Sequence, residues 1–190
     1  MKSGPAFDHI AIATRDLTEG AAWLQDKLGV SPSSGGKHPL MGTHNMLLSL
    51  GPGEYLELIA FDPAATAPAR YRWFGLDGFD GPPRLAGWIM RADLDRTPAP
   101  KGTSTTALNR GDLHWRLTLP GSGQMPNDGA SPMLIDWGDS THPSSRLPDL
   151  GLRLSRLLLP MAAPLPDDPR IRSGDKFQAT ITTPNGDVLL

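Results

Sequence analysis

The chain contains no cysteine, so its five histidines, with a few carboxylates set in apolar surroundings, carry most of the chemistry it can offer. Thiolate nucleophiles, disulfides and cysteine-held zinc are thereby excluded. His9 sits in Asp8-His9-Ile10-Ala11-Ile12-Ala13, Glu57 between Leu56 and Leu58, and Asp136 between Ile135 and Trp137. His142 follows five residues after Trp137 and precedes Pro143. Imidazole nitrogen and carboxylate oxygen bind divalent transition metals, and imidazole also exchanges protons near neutrality. His38 and His44 flank a glycine-containing loop. There His44 can act as acid or base under a substrate lid, or cap a strand and fix the turn by hydrogen bonds. Arg116, in His114-Trp115-Arg116-Leu117-Thr118-Leu119, can grip a carboxylate or phosphate at two points, or close a salt bridge to Asp136 or Glu57. Ser140-Thr141-His142 form no triad, since neither a nucleophile elbow nor a phosphate loop is present.

These residues need elements to position them. Residues 6–13 alternate as a half-buried strand, with His9, Ala11 and Ala13 on one face and Ile10 and Ile12 on the other. Asp16-Leu17-Thr18-Glu19 has capping-box spacing, with Glu19 reaching back. Leu17, Ala21, Leu24 and Leu28 then form a helical stripe that Gly29 ends. Strands are predicted at 45–50 and 55–61, joined by Gly51-Pro52-Gly53-Glu54, with a further short strand near 31–38. Residues 64–84 read as a connector. A second unit begins at Leu85, where Leu85-Ala86-Gly87-Trp88-Ile89-Met90-Arg91-Ala92-Asp93-Leu94 echoes the first strand. Superposing the two Asp-Leu pairs puts Ala86 at the position of His9. Prolines 98 and 100 with Gly102 argue against a helix there. Strands resume at 113–119 and 132–137, and again at 152–159, 177–183 and 188–190, the last two joined by a Pro-Asn-Gly-Asp hairpin.

The formal net charge is −2 and no basic run occurs, so nucleic acid and anionic membranes are poor partners. No apolar run approaches a membrane span, and no charged-then-apolar leader stands at the N-terminus, which points to the cytoplasm. The 21 glycines and 20 prolines are spread between periodic segments, as in a chain of short elements and many turns.

Three stretches of the first half, Asp8-His9-Ile10-Ala11 with Asp16-Leu17, Lys37-His38-Pro39-Leu40-Met41-Gly42-Thr43-His44-Asn45 and Tyr55-Leu56-Glu57-Leu58-Ile59, resemble the vicinal oxygen chelate superfamily. More narrowly, they look like its glyoxalase-like domain proteins, relatives of glyoxalase I, extradiol dioxygenases and bleomycin-resistance proteins. His114-Trp115-Arg116-Leu117, Leu134-Ile135-Asp136-Trp137-Gly138 and His142-Pro143 carry the likeness into the second half. The implied fold is α+β: one domain over residues 1–190, built of fused βαβββ-type units (5–63, 84–139 and a partial unit at 150–190). Its curved mixed sheet surrounds a central cleft, with the helices of the second and third units truncated. An outer face left bare by those truncations is a surface for a partner subunit, as in a homodimer.

In that superfamily the first and last strands of a unit lie side by side and send ligands into one concave sheet. Strand parity fits, leaving Glu57 on the side of His9. The resemblance implies a divalent metal (zinc, iron, manganese or nickel) held by His9 and Glu57 and completed by Asp136 or His142. The alternative is a metal-free His–Glu hydrogen bond, with Asp136 tying down the following turn. The implied function is a metal-dependent lyase, isomerase or dioxygenase acting on a small oxygenated metabolite. Arg116 would orient an anionic group and His44 would shuttle protons. The competing function is sequestration of a small molecule between Tyr55, Trp115 and Trp137, and a third is a structural partner domain.

Overall fold

The structure, a computed structural model, describes residues 4–160 and 165–190. Two units form one sheet. The first comprises β1 (Ala6–Ala13), α1 (Leu17–Leu28), β2 (Ser33–His38), β3 (Thr43–Ser49) and β4 (Tyr55–Phe61). The second comprises β5 (Arg84–Arg91), β6 (Thr103–Arg110), β7 (Leu113–Pro120) and β8 (Met133–Asp136). The eight strands run in the order β2-β3-β4-β1-β5-β8-β7-β6, so each half mirrors the other across the antiparallel β1–β5 pair. Within each half the first and last strands pair in parallel, β1 with β4 and β5 with β8. The sheet curls until its two edges, β2 and β6, approach each other.

Helix α1 starts where the sequence places it. The Asp16 carboxylate accepts from the Thr18 and Glu19 amides at 2.8 and 3.0 Å, and Gly29 closes the helix in the left-handed region at φ 75°. The Glu19 side chain meets Arg15 at 3.4 Å instead of reaching back to the cap. Leu24 and Leu28 bury against the convex face of the first unit with Ile10, Ile12, Leu56 and Leu58. No helix forms between β5 and β6, in keeping with Pro98, Pro100 and Gly102. Strand β6 is absent from the sequence reading because Thr103–Arg110 buries only Leu108 and has no apolar alternation to detect.

Residues 150–190 do not extend this sheet. Strands β9 (Arg153–Leu159), β10 (Ile171–Ser173), β11 (Gln178–Thr183) and β12 (Gly186–Leu189) form a separate sheet in the order β10-β9-β11-β12. Its apolar face, Leu154, Leu157, Leu159 and Ile181, packs into the same core as Trp88, Met90 and Leu134 of the second unit. The convex surface that lacks a helix, where the sequence pointed to a partner subunit, is covered by the chain's own last strands. Arg170 fastens the join, bridging Glu54 and Asp168 at 2.7 Å each. No helix among the described residues is long and apolar enough to cross a membrane.

Candidate functional site

The concave face is built around a bulge. Between Phe7 and His9 the register of β1 against β5 slips, leaving Asp8 without a partner. An extra residue in a strand re-aims its side chains, and here Asp8 and His9 meet, Oδ1 to Nδ1, at 2.7 Å. Asp8 is fully buried. Its other oxygen accepts from Trp137 Nε1 at 3.1 Å and faces His142 Nε2 at 3.2 Å and Arg91 Nε at 3.5 Å. Burial alone would raise the Asp8 pKa, but the hydrogen bonds from His142 and His9 outweigh it and hold the carboxyl ionised, well below its ordinary range.

These contacts assign the tautomers. The Gly53 amide donates to Ser144 Oγ at 3.0 Å, so the Ser144 hydroxyl is free to donate to His142 Nδ1 at 2.8 Å, where the Ser144 amide also points at 3.3 Å. His142 therefore carries its proton on Nε2 and gives it to Asp8. An ionised carboxylate only accepts, so His9 also donates, from Nδ1. The lone pair of His9 Nε2 is left facing the concavity, 3.4 Å from the Tyr55 hydroxyl and 3.8 Å from Glu57 Oε2. The Tyr55 ring stacks on the imidazole at 4.2 Å. Burial, with Asp8 and Glu57 nearby, pushes the Tyr55 hydroxyl well above its usual pKa and keeps it protonated.

Register places Glu57 opposite Ala11 and Tyr55 opposite His9, so the parity expected for β1 and β4 holds in space. Asn45 on β3 joins them. Its Nδ2 donates to Glu57 Oε1 at 2.6 Å, and its Oδ1 accepts from the Gly36 amide at 2.8 Å and Arg110 Nη1 at 2.9 Å. His38 lies beside this group with Nδ1 against Thr43 Oγ1 at 3.0 Å. Burial first, then Arg110 and neighbouring imidazoles, lower its pKa from 6.5 to about 3. His38 is thus neutral in the fold but protonates near 6.5 once unfolded. The unfolded chain binds the extra proton, so stability falls as pH drops from 6.5 towards 3. The slope from this one group is about 1.4 kcal/mol per pH unit. Asp8, with its depressed folded pKa, adds a further loss only below the ordinary carboxylate range. Denaturant titrations across this window check the prediction, and His38→Gln should flatten the limb nearer neutrality.

Aromatic rings wall the space: Tyr55, Trp73, Phe74, Trp115 and Trp137, with Ile89, Leu117, Met133 and Ile135. Phe74 holds a left-handed backbone at φ 58°, a strained state for a bulky residue. Its ring occupies the room that a Cβ on Gly87 would fill, 2.8 Å away. The enclosed cavity is about 20 Å³, room for about one water. Buried Trp73 Nε1 has no hydrogen-bond partner among the described residues.

The remaining expected residues lie elsewhere, mostly because of strand parity. Asp136 alternates with the cavity-lining Ile135, so it faces away. It accepts from the Leu94 and Gly138 amides and pairs with Arg116 Nη2 at 2.6 Å. Arg116 binds Asp95 as well, also at 2.6 Å, and these two carboxylates raise its pKa further, so it is an ion-pair residue and not a clamp in the cleft. His44 neighbours Asn45 on β3 and, by strand alternation, faces the opposite side of the sheet from the cleft. His142 is in the site, but its Nε2 is committed to Asp8. Asp8, Asn45, Arg110 and Trp73 were given no role from sequence. Only Asp8 offered a signal, a carboxylate beside a histidine in an apolar strand.

The implied metal can be tested against these donors. His9 Nε2 and Glu57 Oε2 form a two-ligand start, but Ala86 stands at the mirror position and Asp136 faces away. Among the described residues no group of three histidines or carboxylates is arranged to hold a metal ion. One Glu57 oxygen is occupied by Asn45, and the Arg110 guanidinium lines the same cavity. A divalent ion needs three or more protein ligands for firm binding, so this set does not fit one.

A search of curated proteins finds no match. Among solved structures, a hypothetical protein from Staphylococcus aureus is similar over 97% of this chain and 84% of its own, at 13% identity and TM-score 0.54. Methylmalonyl-CoA epimerase from Mycobacterium tuberculosis is 19% identical, covering 76% of this chain and 95% of its own at TM-score 0.48. A Streptomyces coelicolor methylmalonyl-CoA epimerase variant in complex with 2-nitronate-propionyl-CoA is also 19% identical, covering 74% and 100% at TM-score 0.49. Likeness at such identities is one of fold. The family profile described as a glyoxalase-like domain matches residues 7–166, most of the chain and all but the first residue of the curled sheet that carries the cleft. The chain belongs to the glyoxalase-like domain family.

Proposed function

We propose that the cleft is the active site of an enzyme that moves a proton on a small oxygenated molecule, with His9 as general base. The observation that carries this reading is the hydrogen bond between His9 Nδ1 and Asp8, which leaves Nε2 turned into an aromatic-walled cavity. The base takes a proton from the carbon beside a carbonyl, the electron pair moves onto the carbonyl oxygen as an enolate, and Asp8 stabilises the resulting imidazolium. For an α-hydroxy ketone, delivering the proton to the former carbonyl carbon, with the hydroxyl proton passing between the two oxygens of the enediolate, completes an isomerisation. A metal-centred lyase or dioxygenase needs a further ligand beside His9 and Glu57, so no step is routed through a metal.

Deuterium exchange tests the proposal. Hydroxyacetone, pyruvate and methylglyoxal are incubated with the protein in D2O, and loss of the C–H signal beside the carbonyl is followed by proton NMR. Wild type should accelerate exchange of at least one compound, and His9→Gln should slow it by about 10²–10⁴-fold. Equal rates in wild type and His9→Gln would overturn the assignment. The aromatic lining favours a second reading, sequestration of a planar ligand, whose signature is binding without exchange.

A further inference from the structure

The cleft is sealed at the seam where the two edges of the curled sheet meet, and Arg110 of β6 is the seal. Its side chain crosses to β2, where the backbone is bare. A Cβ on Gly36 would lie 2.6 Å from Arg110 Cδ, and one on Gly35 only 2.0 Å from Asn45 Oδ1. Arg110 lines both the inner cavity and an outer vestibule of about 590 Å³, which also includes Lys37, Leu47, Leu113 and Arg146. That volume suits a small metabolite. The other two cations there are neutralised, Lys37 by Asp62 at 2.7 Å and Arg146 by Asp112 at 2.5 Å. Arg110 differs: among the described residues its guanidinium bonds only the neutral oxygen of Asn45. A half-buried guanidinium without a carboxylate is short of an anion. Trp73, on the same cavity, holds the buried donor without a partner. The cavity thus holds one buried donor without a partner and one guanidinium without a carboxylate, and the oxygens of an anion would serve both.

We propose that Arg110 is a specificity-determining gate that admits molecules bearing a carboxylate or phosphate. The incoming anion takes the guanidinium from Asn45, which frees the β2–β6 seam, and Trp73 Nε1 donates to a second ligand oxygen. This rests on the cleft being a small-molecule site but not on His9 moving a proton.

The experiment titrates the protein with pyruvate, inorganic phosphate and neutral hydroxyacetone, reading tryptophan fluorescence and the NMR signals of the Asn45 side-chain amide and Arg110 Nε–H. In wild type at least one anion should bind about tenfold or more tighter than hydroxyacetone, as a charge-assisted hydrogen bond allows. The Asn45 and Arg110 signals should shift with that anion and stay in place with the neutral compound. Arg110→Gln should erase the preference, Arg110→Lys should keep part of it, and His9→Gln should keep all of it. Whichever anion binds tells carboxylate from phosphate, and either supports the gate. Binding of neither anion, equal affinity for the anions and hydroxyacetone, or unmoved Asn45 and Arg110 signals would overturn it. The wild-type NMR readout needs no variant to fold. A preference for anions with no proton exchange would leave the gate standing and remove only the proposed chemistry.

Discussion

Asp8→Ala is expected to remove about 3–5 kcal/mol of stability, a large share of what a domain of this size has. The carboxylate is wholly buried and accepts from His9 and from Trp137, with His142 and Arg91 against its second oxygen. Truncation leaves the buried donors of His9 and Trp137 without their acceptor, and an unpaired buried donor costs far more than the net worth of the bond it lost. The effect exceeds that of an ordinary surface ion pair. Arg146→Ala, which breaks an exposed bridge to Asp112, should cost little by comparison. Urea denaturation of the two variants side by side checks the contrast, and equal small losses would mean that Asp8 is not the centre of the network.

Trp88→Ala should be as severe, about 3–5 kcal/mol, for a different reason. Trp88 is only 1% exposed and faces Ile10 across the β1–β5 pair, on the convex side. It fills the core between the curled sheet and the C-terminal sheet, and its Nε1 donates to the Ala130 carbonyl at 2.8 Å. Removing it opens a cavity beneath the C-terminal sheet and takes away that carbonyl's indole partner. Because the loss falls on the packing of the two sheets and not on the concave face, the variant should keep its ligand preference while melting earlier. Thermal melts with and without pyruvate separate the two effects.

Much of the site was legible through strand parity. Alternation in residues 6–13 and 55–61 put His9 and Glu57 on one face, and the register confirms them as near neighbours. The same rule, carried through residues 133–137, turns Asp136 away as soon as Ile135 is known to line the cavity. His44 was misplaced because a loop reading has no parity. Once Thr43–Ser49 is a strand with Asn45 inward, His44 must face outward. The bulge at Asp8 was not legible, since it arises from pairing with β5 and leaves no periodic trace. Arg110 was hidden for a related reason: β6 is an exposed edge strand, and only closure of the sheet brings it to Asn45. The C-terminal strands were visible as strands, but their place over Trp88 depends on packing between distant segments.

The central claim is that Asp8 holds His9 with its Nε2 lone pair open to the cleft. Nitrogen-15 NMR of histidine-labelled protein reads this directly, because protonated and bare imidazole nitrogens have distinct shifts. In wild-type protein near neutral pH, His9 should be protonated at Nδ1 and bare at Nε2, and Asp8→Asn should release this preference. A His9 protonated at Nε2, or one that samples both tautomers equally in wild type, would contradict it.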